Sequence, residues 1–157
     1  MKKDKAIKLC FAASSGGHFE QLLTLKPLME KYDSFVITEE TLYQARADGE
    51  RMYYLLQVNR KESNAIPRMI VNTFRSIRIF LKEKPDVVIC TGVLAMIPMC
   101  LIAKLARRKL IYIESFAKVT SATQTGKFLY RFADQFYVQW ERMLDVYPNA
   151  ICLGGIY

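Results

Sequence analysis

Short apolar runs alternate along this chain with longer segments whose apolar residues recur every three or four positions. That alternation predicts an α/β, Rossmann-like fold, a mainly parallel sheet flanked by helices. Strands are expected at 7–13, 34–38, 53–58, 87–90, 110–114 and 135–138. Helices are expected at 18–31, where Pro27 should kink or split the segment, at 65–84, ended by Pro85, and at 94–107, 125–133 and 141–147. No internal repeat or low-complexity run interrupts the pattern, and 157 residues suit one domain over 1–157.

The long segment 65–84 has the clearest periodicity. Ile66, Met69, Ile70, Phe74, Ile77, Phe80 and Leu81 share one helical face and are expected to meet the core. Opposite them Arg68, Arg75, Arg78 and Lys82 line up, with Val71 and Ile79 among them. Mixed basic and apolar groups suit a surface lying on anionic lipid headgroups, and a row of charges equally suits a solvated face.

Charge widens the choice of partner before narrowing it. Lys and Arg total 23 against 15 Asp and Glu, a formal net charge of +8, which favours anionic lipid, a sugar nucleotide or nucleic acid. The aromatic residues are mostly embedded in apolar runs and do not interleave with arginine, so a nucleic-acid platform is disfavoured. Cys10, Cys90, Cys100 and Cys152 are far apart, form no CxxC pair and have one His to join them, so no metal site is expected. Three of them sit in apolar runs, as reduced, buried cysteines of a cytoplasmic protein would. The lysine-rich start, Met1 to Lys5, leads into a strand-length run and not a signal-peptide core, and the longest apolar stretch, 87–106, is interrupted by polar residues. Membrane contact is therefore expected to be peripheral, at the cytoplasmic face.

In open parallel sheets, ligands bind beyond the carboxyl ends of the strands. Those positions carry Ser14, Ser15, Gly16, Gly17 and His18, then Thr91 and Gly92, then Glu114 and Ser115. A glycine turn leading into a helix presents free N–H groups to a phosphate, and the same glycines also suit a plain tight turn. The run SSGGH lacks both the GK[ST] ending of a P-loop and the GxGxxG of a dinucleotide fold, and 37–40 is a weak candidate for a ribose-binding acid, so ATPase and dehydrogenase chemistry are disfavoured.

The runs FAASSGGHFEQLLTL, VVICTGVLAMIP, YIESFAKVTSATQTGKFLYRFADQFYVQW and YPNAICLGGIY resemble the accessory subunits of two-chain UDP-sugar glycosyltransferases. That family includes the membrane-anchoring subunit of the dolichol-linked N-acetylglucosaminyltransferase and the bacterial capsule and exopolysaccharide glycosyltransferase enhancers. The resemblance covers nearly the whole chain. It implies a domain equivalent to the N-terminal half of a GT-B glycosyltransferase, binding a lipid-diphosphate-linked saccharide, while a separate catalytic chain holds the UDP-sugar. Gly154 and Gly155 fall where a two-domain enzyme would cross to its second half. No cofactor or metal is implied, because helix dipoles and side-chain donors can take up the charge of the leaving diphosphate.

On that resemblance Ser14, Ser15, Gly16, Gly17, Thr91, Gly92 and Ser115 are candidate acceptor or phosphate contacts. His18 is a candidate base or phosphate ligand, with binding favoured. Glu114 would orient the acceptor hydroxyl, brace Ser115, or serve as a structural carboxylate bonded to loop amides. The alternative in another class is a basic nucleotide- or nucleic-acid-binding module.

Overall fold

The computed structural model describes residues 4–42 and 46–157, without the side chains of residues 4–6; most of the lysine-rich start lies outside the described residues. Its strands are β1 (Asp4–Ala12), β2 (Tyr32–Glu40), β3 (Arg51–Leu56), β4 (Val87–Cys90), β5 (Lys109–Ile113), β6 (Gln135–Val138) and β7 (Ile151–Cys152). They form one sheet in the order β3-β2-β1-β4-β5-β6-β7, and every neighbouring pair is parallel. The order reverses between β1 and β4, which is the switch point where ligands gather in Rossmann-like sheets.

The helices are α1 (Gly17–Leu23), α2 (Lys26–Lys31), α3 (Ala65–Glu83), α4 (Ile97–Leu105) and α5 (Gln124–Leu129). The expected helix 18–31 is split, because Pro27 falls in the first turn of α2, where its missing N–H costs nothing. The expected helix 94–107 opens as a 3-10 turn, Leu94–Met96, before α4 begins with Pro98 in its first turn. The segment expected as a short helix at 141–147 is a 3-10 turn, Glu141–Asp145. β2 runs to nine residues because it pairs on both sides, and its polar end residues Asp33 and Glu39 are held by Arg51 and by the Val58 N–H.

One core fills the space between the sheet and α3, α4 and α5, with Phe35, Ile37, Leu55, Val88, Leu110 and Tyr112 meeting Ile79, Phe80, Met99 and Leu129. A second core lies on the other face, where Phe11, Val36 and Ile89 meet Phe19, Leu22 and Met29 of α1 and α2.

The orientation of α3 departs from the sequence expectation. Of the stripe expected to meet the core, Phe80 is buried and Met69 half-buried, whereas Ile66, Ile70, Phe74, Ile77 and Leu81 are exposed, Ile66 at 75%, Phe74 at 69% and Leu81 at 64%. Asn72, Ser76, Ile79, Phe80 and Glu83 face inward instead. Ile79, expected on the membrane surface, is a core residue.

Bonding explains the reversal. Asn72 Nδ2 donates to Leu56 O and its Oδ1 accepts the Leu56 N–H, both at 2.8 Å. Glu83 accepts the Tyr53 hydroxyl and pairs with Lys8 at 3.2 Å and Arg51 at 3.3 Å. Inward polar groups with partners cost little, so the apolar stripe is left to face out.

Candidate functional site

The ends of β1, β4 and β5 meet as the topology requires, and side chains tie them together. Thr91 Oγ1 donates to His18 O at 3.0 Å. Gln21 of α1 reaches across to the loop after β5, donating to Glu114 O at 3.3 Å and accepting the Phe116 N–H at 3.1 Å. Gly92, at φ 117, packs so closely on the His18 ring that a Cβ there would lie 3.2 Å from His18 Cε1. Gly16 takes φ 76 just ahead of α1, and a Cβ on Gly16 or Gly17 would meet nothing within 4 Å. The glycine loop therefore presents bare backbone.

His18 is half-buried, and its Nδ1 is enclosed with no hydrogen-bond partner among the described residues. Burial holds its pKa below the ordinary value, against the opposing pull of the Thr91 backbone and the Glu114 charge. The ring is thus a neutral group near neutral pH.

Glu114 is 1% exposed, and both carboxylate oxygens are occupied. Oε1 accepts the Ser115 N–H at 2.9 Å and Thr123 Oγ1 at 2.9 Å, and Oε2 accepts the Thr123 N–H at 3.1 Å and the Tyr147 hydroxyl at 2.8 Å. Thr123 in turn caps α5 by accepting the Gly126 N–H at 2.8 Å. A Cβ on Gly126 would collide with Glu114 Oε2 and lie 2.7 Å from Thr123 Oγ1 and from the Tyr147 hydroxyl. The carboxylate thus braces Ser115 and sets the start of α5.

A cleft of about 560 Å³ opens at this edge of the sheet, lined by Ser14 and Ser15 from the glycine loop, Val93 and Leu94 after β4, and Gln124 and Thr125 of α5. Its remaining wall comes from Glu39 at the end of β2 and Gln57, Val58, Asn59, Arg60 and Lys61 after β3. Ser14 and Ser15 line the cleft, Thr91 and Gly92 directly precede its Val93, and Glu114 stands behind Thr125 through Thr123. His18, Gly16, Gly17 and Ser115 are near neighbours in sequence or bonding and are not among its lining residues.

The wall from Gln57 to Lys61 is absent from the sequence reading. Extending the third strand to Val58 hides it; ending that strand at Leu56 exposes one more strand-end loop carrying two cations and two amides. Glu39 falls within 37–40, which the sequence offers only as a weak candidate for a ribose-binding acid. Burial pushes its carboxyl above the ordinary range, and the Val58 N–H bond offsets this in part.

On the outer face, Arg68 spends its guanidinium on Gln57 O at 2.9 Å and Arg75 on Tyr54 O at 3.3 Å, with Glu62 and Glu40 also beside them. Arg78 and Lys82 are exposed with no carboxylate within 4 Å among the described residues, and Lys82 lies 5.3 Å over the Tyr53 ring. Val71 is exposed beside them. No described helix is long and apolar enough to cross a membrane. Cys10, Cys90 and Cys100 are buried free thiols.

Residues 9–156 match the family model described as oligosaccharide biosynthesis protein Alg14 like. The chain is 27% identical over 181 residues to the UDP-N-acetylglucosamine transferase subunit ALG14 of Homo sapiens, covering 97% of this chain and 84% of the relative. It is 29% identical over 182 residues to the subunit of the same name from Mus musculus, with the same coverage. Among solved structures it is similar to MurG from Acinetobacter baumannii, with a TM-score of 0.73 at 20% identity over 87% of this chain and 42% of that one. It is also similar to the UDP-GlcNAc 2-epimerase of Methanocaldococcus jannaschii, with a TM-score of 0.69 at 12% identity over 95% of this chain and 46% of that one. At these identities the fold alone is shared, and the chain spans less than half the length of either solved chain.

Proposed function

Because the chain belongs to the Alg14-like family of oligosaccharide biosynthesis proteins, we propose that it is the accessory subunit of a two-chain UDP-sugar glycosyltransferase. In this reading a separate catalytic chain holds most of the nucleotide sugar, and this chain supplies the side of the cleft that takes a lipid-diphosphate-linked saccharide. The match over residues 9–156 carries the reading. The physical character of the cleft supports it: hydroxyls from Ser14 and Ser15, amides from Gln57 and Asn59, and the cations of Arg60 and Lys61 suit a diphosphate that carries a sugar. The bare glycine backbone at Gly16 and Gly17 leaves room for a phosphate to approach. The product belongs to capsular or exopolysaccharide assembly at the cytoplasmic face of the membrane.

The outward face of α3 supports membrane docking. Ile66, Ile70, Phe74, Ile77 and Leu81 form an exposed stripe, and Arg78 and Lys82 flank it. A helix of that character lies in the headgroup plane with its apolar side toward the acyl chains and its cations on lipid phosphates.

The test is reconstitution. Tritiated UDP-sugars are supplied with membranes from the source cells, and label in the extracted lipid is counted for the chain alone, its partner alone and the two together. Transfer is expected only from the pair, and robust turnover by this chain alone overturns the subunit reading.

A further inference from the structure

Two carboxylates are buried at the C-terminal edge of the sheet, and their surroundings differ. Glu114 has both oxygens filled by two N–H groups and two hydroxyls. Among the described residues the carboxylate of Glu39, a residue 4% exposed, has one hydrogen bond, from the Val58 N–H at 3.4 Å, and no cationic nitrogen within 4 Å. A buried acid with so little compensation costs folding free energy, and groups of that kind concentrate at working sites. Glu39 also lies where a substrate would be. It follows Ile37 on the strand face that carries Phe35 and Ile37, and its side chain lines the same cleft as Ser14, Ser15 and Thr125.

The reaction proposed above needs such a group. As the acceptor oxygen bonds to the anomeric carbon of the donor, the bond from that carbon to the diphosphate breaks and its electron pair leaves with UDP. The acceptor O–H proton must go to a base at the same time. Glu114 is filled by its own loop, and His18, with its Nδ1 packed against Gly92, is not among the residues that line the cleft.

We propose that Glu39 is the catalytic residue that takes this proton, holding the acceptor hydroxyl at the cleft wall between the glycine loop and the Arg60–Lys61 loop. This rests on the glycosyl-transfer reading. It deepens that reading by giving the chain a share in the chemistry as well as in acceptor binding.

The experiment uses the reconstituted pair with tritiated UDP-N-acetylglucosamine, UDP-glucose, UDP-galactose and UDP-glucuronate as separate probes, and source-cell membranes as acceptor. Glu39→Gln keeps an oxygen for the Val58 N–H, so the fold should persist, which circular dichroism and co-purification with the partner check. Label transferred by Glu39→Gln should fall about 100-fold or more with the donor KM unchanged, and Glu39→Asp should retain part of the rate. Glu39→Gln within threefold of wild type, or a loss confined to the acceptor KM, overturns the assignment. If the wild-type pair transfers nothing from any probe, the glycosyl-transfer reading falls and this assignment with it. An active wild type with an active Glu39→Gln removes only the assignment.

Discussion

Asn72 and Leu56 exchange two hydrogen bonds of 2.8 Å, the side-chain amide of α3 standing in for the next strand at the end of β3. This pairing fixes which way α3 turns. With Asn72 held against the sheet edge, residues Ser76, Ile79 and Glu83, about one, two and three turns further along the same side, also point inward. The apolar stripe on the opposite side has nowhere to go but out.

Asn72→Ala should therefore be costly for a small change. It leaves the Leu56 N–H and C=O without partners in a partly buried place, and a loss of about 2 kcal/mol is expected. Denaturant unfolding measures it. Thr73→Ala, which removes only a back-bond to Met69 O, should stay within about 0.5 kcal/mol of wild type.

Replacing the outward stripe should separate stability from membrane binding. The triple variant Ile70→Ser, Phe74→Ser, Leu81→Ser removes exposed side chains, so each change should alter unfolding free energy by no more than about 0.5 kcal/mol. Vesicle sedimentation should show roughly 1,000-fold or more weaker binding to anionic vesicles, since each of the three apolar side chains buried in lipid contributes about 1.5 kcal/mol or more. Undiminished binding by the triple variant would refute the docking face.

Gly126→Ala tests the Glu114 cluster. The added methyl falls on Glu114 Oε2 and close to Thr123 and Tyr147, all of them buried or held in place by hydrogen bonds. Overpacking of this kind costs about 1–3 kcal/mol, and thermal unfolding should register it together with a loss of acceptor-dependent transfer by the pair.

Acidification should weaken the fold in two steps. In the unfolded chain His18 titrates at its ordinary value of 6.5, while in the fold burial holds it lower. The unfolded chain takes the proton first, so stability declines as pH falls below 6.5 and levels off below the folded value. Burial alone would raise the Glu83 carboxyl, but the Tyr53 hydroxyl, Lys8 and Arg51 together hold it below its ordinary 4.5. Its contribution is complete above 4.5 and is lost as pH falls through the depressed value. Unfolding curves taken at decreasing pH should lose the upper step in His18→Gln, while the lower one should shrink in Glu83→Gln without vanishing, because ion pairs outweigh burial to hold the Asp33 and Asp134 carboxyls below their ordinary value as well.

Sequence periodicity located most elements here, because apolar runs and proline positions are local signals. β4 and β6 fall on the expected residues, and α3 begins where expected and ends one residue early, with Lys84 at φ 50 ahead of Pro85. The facing of α3 was not legible. A stripe in the sequence gives the direction of the helix's apolar side relative to itself, not relative to the sheet, and the deciding pair, Asn72 and Leu56, joins residues whose meeting is a tertiary fact. β7, at two residues, is too short to leave a periodic trace. The glycine loop and Glu114 were legible because they end clear apolar strands. Glu39 and the loop from Gln57 to Lys61 were obscured by strand ends placed two residues from where the backbone stops pairing.

α3 also closes an open margin. Arg68, Asn72 and Arg75 together occupy Gln57 O, both polar groups of Leu56, and Tyr54 O along the outer strand. Those are the groups another polypeptide would need in order to dock as an additional strand on this side. Recruitment by main-chain zippering at β3 is thus blocked by the protein's own side chains, and any chain that assembles there must recognise surface shape and charge instead.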